Sequence, residues 1–297
     1  MHRLTTLSIL GAVILSGSSL TAQQNELRFN RLIAQLQQGS PALGLNIGIR
    51  SAETGRLLRT SGLDFIVIDM EHQVYDFTAV RDVILGLHEQ RFSPEVMSAA
   101  AEWMPTRTSP PFFPPPPPPT VLVKIARRGH DQIQFDVRHA LKMGAMGVFI
   151  PFTESPADIE AAVEGATNAE SSYILRGARQ EWAERNSPWP LNPKGEFLVG
   201  AMIESLEGEA HIDEILSTPG LAMVWLAHTS TEAVANEIVK KCVERGIFVA
   251  SPHVDPTSFK ADMDAGYRMF FFGWDRDMFY RGLGDVMRTA KEAIGQR

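Results

Sequence analysis

Eight short apolar runs, separated by amphipathic segments over about 250 residues, predict a single (β/α)8 barrel. The runs are nearly continuous in apolar residues, which is typical of parallel strands covered on both faces. The chain has 297 residues and 44% of them are hydrophobic, so it can bury one large core. A doubly wound open sheet is the weaker alternative, because no glycine-rich phosphate loop follows the first apolar run.

The predicted elements follow one another regularly along the chain. The strand candidates are residues 42–49, 65–70, 121–125, 147–152, 197–204, 223–228, 246–251 and 269–274. Between them, Asp76 is placed as a helix N-cap, and Ser155-Pro156 supplies a cap followed by proline at the first helical position. Asp255-Pro256 opens another helical pattern that closes at Gly266. A further helix is expected around residues 25–38, ahead of the first strand.

The N-terminus has the composition of a secretory signal. The sequence MHRLTTLSILGAVILSGSSLTAQQ combines a basic start, an apolar stretch and small residues. The apolar stretch is too short for a stable transmembrane span. We therefore expect a signal peptide at residues 1–22, cleavage after Ala22, and export to the periplasm or the medium. An uncleaved anchor is the alternative.

A proline-rich insertion interrupts the barrel pattern at residues 91–120. It contains six consecutive prolines, Pro114 to Pro119, and such a run adopts polyproline II conformation. It precedes the third strand, on the face away from the carboxyl ends of the strands. We interpret it as a spacer or surface loop, with a docking ligand for an aromatic groove as the alternative. The barrel itself is assigned to residues 23–297.

Charge and cysteine content exclude several classes of protein. The formal net charge is −7, and no basic patch interleaved with aromatic residues is present, so a nucleic-acid partner is not expected. The single cysteine, Cys242, excludes an internal disulfide framework and a cysteine-built metal site. It lies in a helical pattern and is interpreted as a core thiol.

Polar and charged residues collect where the predicted strands end. In a (β/α)8 barrel these ends converge on one mouth, where the chemistry of such enzymes takes place. The residues are Asp69, Glu71, His72, Lys124, Glu204, His228, Ser230, Glu232, His253, Asp255 and Asp275. Some have a simpler explanation, since Asp255 before a proline is typical of a helix cap. Glu204 ends an apolar run, so its carboxylate must be paired, protonated or metal-bound.

Several of these stretches resemble the HpcH/HpaI aldolase family, the metal-dependent pyruvate aldolases related to the citrate lyase β subunit. The resemblance extends from about residue 26 to residue 290 and is interrupted mainly by the proline insertion. Its most specific pieces are the D-x-E-H element at Asp69 to His72 and the I-E-S element that contains Glu204. The resemblance implies a barrel of the phosphoenolpyruvate/pyruvate-binding type, assembled into a homo-oligomer, a trimer or a hexamer.

The resemblance also implies an activity and its residues. The expected reaction is carbon–carbon bond formation or cleavage between a 2-keto acid, usually pyruvate, and an aldehyde, through a metal-stabilised enolate. His72 matches the histidine that moves the proton, and Asp69 matches the acid that orients it. Glu204 matches a carboxylate that binds a divalent cation, Mg²⁺ or Mn²⁺. Lys124 stands in place of the family's arginine at the third strand, and Arg128 is a second candidate for binding the substrate.

One departure from the family pattern affects the metal site. Ser230 occupies the position of the second metal-binding aspartate, and a hydroxyl is a poor replacement for a carboxylate. Ser230 is assigned to substrate binding. Three alternatives follow for the metal site: His228 or Glu232 replaces the missing ligand, the metal affinity is low, or the site has changed task. With His228 as a ligand, the site would favour Co²⁺, Ni²⁺ or Zn²⁺. The alternatives to an aldolase are a divergent enolate-condensing enzyme and a non-catalytic protein that binds small carboxylates.

Overall fold

The computed structural model describes residues 28–88, 118–126, 130–169, 185–251 and 257–295. The predicted signal segment at residues 1–22 and most of the proline-rich insertion, residues 91–117, lie outside these ranges. Arg128, His253 and Asp255 also lie outside them. The described residues contain nine strands: β1 Ala42–Ile47, β2 Phe65–Asp69, β3 Thr120–Lys124, β4 Gly147–Ile150, β5 Pro188–Trp189, β6 Phe197–Ile203, β7 Leu221–Leu226, β8 Phe248–Ala250 and β9 Tyr267–Trp274.

Eight of these strands close into a parallel barrel. The strands β1 to β4 pair in chain order, β4 pairs with β6, and the order continues through β7, β8 and β9 back to β1. Every pairing is parallel. The predicted (β/α)8 barrel is therefore confirmed. The two-residue strand β5 was not predicted, and it pairs with the start of β6 outside the barrel order.

Helices connect successive strands on the outside of the barrel. Their bounds are α1 Arg31–Gln37, α2 Ala52–Leu58, α3 Phe77–His88, α4 His130–Met143, α5 Pro156–Thr167, α6 Leu206–Ala210, α7 Ile212–Leu216, α8 Glu232–Glu244, α9 Phe259–Ala265 and α10 Asp275–Ala293. Helix α1 lies where a helix ahead of the first strand is predicted. In the part of the chain that is described, none of these helices is both long enough and apolar enough to cross a membrane.

Local sequence signals explain where several helices begin and end. The Asp76 carboxylate accepts a hydrogen bond of 2.7 Å from the amide of Thr78, at the start of α3. Ser155 and Asp158 form a capping box at the start of α5. Gly266, at φ 121°, ends α9 in a conformation that side chains rarely adopt. This helix begins at Phe259, and its predicted opening at Asp255-Pro256 lies outside the described residues.

Alternation along each strand divides the apolar residues between two cores. Ile66 and Ile68 of β2 point outward and belong to the larger core, between the barrel and its helices. Phe65 and Val67 point inward and belong to the core that fills the lumen. Both cores are apolar, which explains why the strand sequences are nearly continuous in apolar residues. Asp69, the next inward position on β2, is 1% exposed and marks where the lumen becomes polar.

Large aromatic side chains fill the lumen below the mouth. The ring of Phe65 packs edge-on against Phe271 at a centroid distance of 5.2 Å. Gly44 makes room for this arrangement, because a Cβ at that position would lie 2.3 Å from the Phe65 ring. The ring of Trp225 stacks on the same Phe271 ring, at a centroid distance of 4.2 Å. The lumen is therefore a packed core, and a ligand can enter only above these rings.

Two buried titratable groups are structural. Cys242 is fully buried in α8, and burial raises the pKa of its thiol to about 12, as expected for a core thiol. Glu196 is also fully buried, and its carboxylate accepts a hydrogen bond of 2.9 Å from the amide of Asn30. Burial raises the pKa of Glu196, while Asn30, Arg28 and Arg185 oppose that shift. These contacts anchor the residues that lead into α1.

The C-terminal helix α10 projects from the barrel. It packs against β1 and β9 at its base, and every residue from Arg276 to Gly295 is exposed. The exposed large apolar side chains of this helix are Met278, Phe279, Tyr280, Leu283, Val286 and Met287. Several of them recur at three- and four-residue spacing, so the helix presents an apolar stripe that this chain does not cover.

Candidate active site

The carboxyl ends of the parallel strands bring the predicted polar residues to one mouth. Asp69 and Lys124 are direct register partners on β2 and β3. Both are almost fully buried, with exposed fractions of 1% and 4%. Glu204 directly follows β6 and is half-buried. Side chains alternate between the two faces of a strand, and Asp69, Lys124 and Glu204 all fall on the inward face at the carboxyl ends of their strands. They therefore lie around the top of the lumen.

Asp69 holds His72 through two hydrogen bonds. Its Oδ1 accepts from the backbone amide of His72 at 2.7 Å, and its Oδ2 lies 2.9 Å from His72 Nδ1. The carboxylate therefore fixes both the turn after β2 and the orientation of the imidazole. With Nδ1 bound to Asp69, the Nε2 atom remains for a substrate. The imidazole is 55% exposed and lies edge-on to the Trp274 ring, at 6.2 Å between centroids.

Glu71, which had no assigned role, forms a buried ion pair with Lys124. The Nζ atom of Lys124 lies 2.5 Å from Glu71 Oε2, and both side chains are largely shielded from solvent. Glu71 Oε2 also lies 3.8 Å from His72 Nδ1. The ammonium group is 5.7 Å from the centroid of the Trp225 ring. Because Glu71 already offsets its charge, Lys124 has less attraction for a substrate carboxylate than an unpaired cation would have.

Glu204 is tied to the neighbouring strand end. Its Oε2 accepts a hydrogen bond of 3.1 Å from the backbone amide of Phe152, which follows β4. Phe152 has φ 48°, an uncommon backbone conformation for a residue other than glycine. Among the described residues, no donor is bound to the other carboxylate oxygen of Glu204. That oxygen is available to a cation or a ligand.

Ser230 is bound by a carboxylate that sequence reasoning missed. Its backbone amide donates to Glu209 Oε1 at 2.5 Å, and its hydroxyl donates to Glu209 Oε2 at 2.6 Å. Glu209 lies on the short helix α6, five residues after Glu204. The position that the family resemblance assigns to a carboxylate thus holds a hydroxyl, and a carboxylate from another element lies directly beside it.

The side chains at the mouth provide only the smallest number of ligands with which a protein can hold a hard divalent cation such as Mg²⁺. No group of three or more His, Cys, Asp or Glu side chains that could hold a metal occurs in the described ranges. Glu204 offers one carboxylate, His228 is exposed on the surface, and the Ser230 hydroxyl is engaged by Glu209. Mg²⁺ can be held by one carboxylate together with water and substrate oxygens. Glu204 therefore fits such a cation only if a ligand contributes oxygen atoms.

Two further residues connect the loops that border the mouth. Asp275 accepts hydrogen bonds from the amides of Gly48 and Ile49, at 3.0 and 2.9 Å, and so joins the end of β9 to the loop after β1. Arg50, in the same loop, donates to the carbonyl of Val74 at 2.6 Å. Asp275, a candidate from the sequence, therefore has a structural explanation. Arg50 was missed, and nothing in its local sequence distinguishes it from a surface residue.

A separate groove lies outside the barrel, between helices α6, α7 and α8. It has a volume of about 410 Å³ and is lined by Leu206, Glu209, Ala210, Ile212, Asp213, Val234, Glu237, Ile238 and Lys241. It contains none of the residues around Asp69 and His72, so we do not assign the chemistry to it. A salt bridge of 2.9 Å between Lys241 and Asp213 crosses the groove, lowering the pKa of Asp213 and raising that of Lys241.

Comparisons with known proteins agree with the motifs at the mouth. Residues 107–230 match the model of the family described as HpcH/HpaI aldolase/citrate lyase. The hydroxypyruvate/pyruvate aldolase of Paraburkholderia phytofirmans is 24% identical to this chain, over 89% of the chain and 96% of that enzyme.

Solved structures of the same kind share the fold. An HpcH/HpaI aldolase/citrate lyase family protein from Burkholderia cenocepacia superposes with a TM-score of 0.66 and 20% identity, over 88% of this chain and 99% of that one. The citrate synthase SbnG superposes with a TM-score of 0.65 and 20% identity, over 91% of this chain and 100% of that one. The resemblance predicted from the sequence is confirmed: this chain is similar to proteins of the HpcH/HpaI aldolase/citrate lyase family.

Proposed function

We propose that this protein is an aldolase that forms or cleaves a carbon–carbon bond next to the keto group of a 2-keto acid. The observation that carries the proposal is the hydrogen bond between Asp69 and His72 at the barrel mouth. A buried carboxylate that fixes one imidazole nitrogen leaves the other nitrogen to accept and return a proton. Relatives named as aldolases support the reaction class.

In the proposed reaction, His72 removes one proton from the keto acid and returns one proton to the product. In the direction of synthesis, C3 of the keto acid loses a proton, and the resulting enolate forms a bond to the aldehyde carbonyl carbon. The aldehyde oxygen then becomes an alkoxide and takes up a proton. His72 moves the proton at Nε2, and Asp69 stabilises the imidazolium that forms. Cleavage is the same sequence in reverse.

Glu204 is the residue that would hold a divalent cation, Mg²⁺ or Mn²⁺. When bound, the cation would act as a Lewis acid on the keto acid's carbonyl and carboxylate oxygens. His228 would take part only with softer ions, Co²⁺, Ni²⁺ or Zn²⁺, because it offers imidazole nitrogen.

Lys124 is proposed to stabilise negative charge on the bound keto acid. Its buried ammonium group lies at the register position next to Asp69. When a keto acid binds, its carboxylate competes with Glu71 for this ammonium group. Arg128 and Ser230 remain proposed contributors to substrate binding.

Two other functions fit the same mouth. The first is condensation of an enolate equivalent with a different acceptor, and the fold likeness to a citrate synthase is compatible with it. The second is non-catalytic binding of small carboxylates. It is favoured by Ser230, whose hydroxyl is bound to Glu209 where a metal-binding carboxylate is expected.

We further propose that the protein is exported after removal of residues 1–22, and that it functions as a homo-oligomer, a trimer or a hexamer. The N-terminal composition supports export. The uncovered apolar stripe of α10 supports assembly.

Exchange of the C3 protons of pyruvate into deuterated water, measured by NMR with Mn²⁺ or Mg²⁺ present, tests the proposal. We expect the wild-type protein to exchange them, and His72→Ala to reduce the rate by about 10²–10⁴-fold. Asp69→Asn should lose much of the same factor, and the double variant should lose little more than His72→Ala alone, because the two residues act as a unit. Mn²⁺ also broadens resonances, so the exchanged product is read after chelation.

His139→Ala is a matched control, since this histidine hydrogen-bonds the carbonyl of Phe135 on α4 and takes no part in the mouth. Fully additive losses at Asp69 and His72 would show that the residues work independently. Binding of pyruvate without exchange, aldol cleavage or condensation would favour the non-catalytic function instead.

A further inference from the structure

Lys124 is an almost fully buried lysine at the carboxyl end of β3, at the position where the resemblance places an arginine. A guanidinium group stays protonated in proteins, so an arginine at this position could act only as a charge. The amine of a lysine can also attack a carbonyl carbon once it has lost a proton. The chain therefore has, at the register position beside Asp69, a group with chemistry that arginine lacks.

Glu71 is placed to take the proton that Lys124 must lose. Its Oε2 atom lies 2.5 Å from Lys124 Nζ, and both side chains are largely shielded from solvent. At this distance a proton can pass from the nitrogen to the carboxylate oxygen without a water molecule between them. The protonated carboxyl group can later give the proton back to a leaving hydroxyl group.

The amine lies between the proton-transfer pair and an apolar wall. Glu71 Oε2 is 3.8 Å from His72 Nδ1, so Lys124 and His72 border the same carboxylate oxygen. The Nζ atom is also 5.7 Å from the centroid of the Trp225 ring, which is fixed by stacking on Phe271. Because C3 of a keto acid is bonded to C2, a keto acid attached to Nζ through C2 has its reacting carbon in the part of the mouth where His72 lies.

Aldol chemistry requires a group that withdraws electrons from C2 while C3 carries negative charge. A divalent cation can do this, and Glu204 is the carboxylate assigned to it, but the Ser230 hydroxyl at the second ligand position is bound to Glu209. A protonated imine at C2 withdraws electrons without a cation. The ligand set for a metal is thus minimal, whereas an amine that could form an imine is present with a proton acceptor beside it.

We propose that Lys124 is a covalent catalytic residue that forms a Schiff base with C2 of the 2-keto acid, and that Glu71 is its proton acceptor. After giving one proton to Glu71, Nζ forms a bond to C2. A second proton moves from the nitrogen to the former carbonyl oxygen, which becomes a hydroxyl group. Glu71 returns its proton to this hydroxyl group, water leaves, and a protonated imine remains.

The later steps use the residues already described. His72 removes a proton from C3, and the electron pair of the C–H bond moves toward the imine nitrogen to give an enamine. The enamine carbon forms the bond to the aldehyde, and addition of water to C2 releases the product and the amine. One water molecule leaves and one returns, so the net reaction is unchanged. The inference rests on the proposed function, since it takes the same keto acid, and it gives Lys124 a covalent role in addition to the electrostatic one.

Reductive trapping tests the proposal. The full-length protein is treated with a chelator, mixed with pyruvate and sodium cyanoborohydride, which reduces an imine in preference to a ketone, and digested for mass spectrometry. We expect the peptide that contains Lys124 to gain the mass of pyruvic acid less one oxygen atom. Lys124→Arg keeps the positive charge and should abolish this adduct. Glu71→Gln cannot take the proton and should slow the formation of the adduct by about 10²-fold.

Lys260→Arg is the matched control, because Lys260 is exposed on α9 and forms a salt bridge of 2.7 Å with Asp264. This variant should form the adduct at Lys124 as the wild type does. Lactate in place of pyruvate should give no adduct, because it has no carbonyl group. Exchange of the C3 protons of pyruvate in the presence of the chelator should persist in Lys260→Arg and be lost in Lys124→Arg. Urea unfolding shows whether each variant is folded, and the peptide mapping of the wild type does not depend on any variant.

The outcomes separate this inference from the proposed function. Exchange that requires a metal, with no adduct at Lys124, would overturn the covalent role and leave the aldolase proposal standing. Equal labelling of Lys124 and of exposed lysines such as Lys260 would show unselective chemistry and would also overturn it. Trapping at the wild-type rate in Glu71→Gln would contradict the role of Glu71 as proton acceptor. Absence of both adduct and exchange, with and without metal, would overturn the proposed function and the covalent role together.

Discussion

At the scale of residues, the mouth contains three contacting pairs of side chains, and the sequence separation between the two partners differs from pair to pair. Asp69 and His72 are three residues apart in one turn, so their contact could be predicted from the D-x-E-H element alone. Glu71 and Lys124 come from different strand ends, whereas Glu209 lies on helix α6 and Ser230 lies in the loop after β7. Those two contacts depend on barrel register and loop conformation, which local sequence does not specify.

The contact between Ser230 and Glu209 leads to a prediction about metal affinity. Glu204 alone provides one carboxylate, so we expect weak Mn²⁺ binding that pyruvate strengthens by adding two oxygen ligands. Ser230→Asp should increase Mn²⁺ affinity only slightly, because the new carboxylate would lie beside Glu209 and be repelled by it. Ser230→Asp combined with Glu209→Gln should increase the affinity more, since the like charge is removed. Calorimetry with the metal-stripped protein measures all three.

Glu209→Gln alone is the matched control and should bind Mn²⁺ no more tightly than the wild type. If the double variant bound Mn²⁺ no better than Ser230→Asp, Glu209 would have no influence on the site. Absence of Mn²⁺ binding with and without pyruvate, together with normal activity of Glu204→Gln, would remove the metal-dependent mechanism.

At the scale of elements, the strands were the best predicted part of the chain. Each predicted apolar run is a strand in the structure. These strands are buried on both faces, so their sequences are almost entirely apolar, and the length of each run and the turn residues beside it predict where the strand begins and ends. The two-residue strand β5 was missed because it has no periodicity. It forms beside Gly195, where an added Cβ would lie 2.6 Å from the carbonyl oxygen of Ser187. Helix boundaries followed their caps, as at Asp76 and Ser155.

Helix α10 provides the prediction at this scale. Leu283 is 48% exposed at the centre of an apolar stripe, and Phe279, one turn earlier, is 61% exposed. A second copy of the chain that covered this stripe would remove it from water, which is the main driving force for association. We expect Leu283→Glu to reduce the molar mass of the particle, measured by light scattering after size-exclusion chromatography.

Arg281→Glu is the control, because residue 281 lies on the opposite side of the helix from Leu283 and also receives a glutamate. Its molar mass should equal that of the wild type. A monomeric wild type, or a Leu283→Glu variant with unchanged mass, would show that the stripe is not an oligomer interface.

At the scale of the whole molecule, the candidate catalytic residues lie at one end of the barrel, and the proline-rich insertion falls in a connection at the other end. The mouth holds Asp69, His72, Lys124 and Glu204. The end of α3 and the start of β3, between which the sequence of the proline-rich insertion falls, lie at the opposite end of the barrel. An insertion at that end can vary in composition without altering the positions of the mouth residues. This division explains how the barrel could be predicted from the sequence despite a stretch of six prolines that fits no element of it.

The N-terminal segment gives the last prediction, which concerns the whole chain. The first described residues are anchored at the barrel, because Arg28 donates hydrogen bonds to the carbonyls of Gly195 and Pro193, at 2.8 and 2.6 Å. Removal of residues 1–22 should therefore leave the thermal unfolding midpoint of the barrel unchanged. Intact-mass measurement of protein isolated from its native host should give an N-terminus near Gln23, in an exported fraction. Recovery of the chain with Met1 from the cytosol would contradict export, and a lower midpoint for the shortened chain would show that the segment supports the fold.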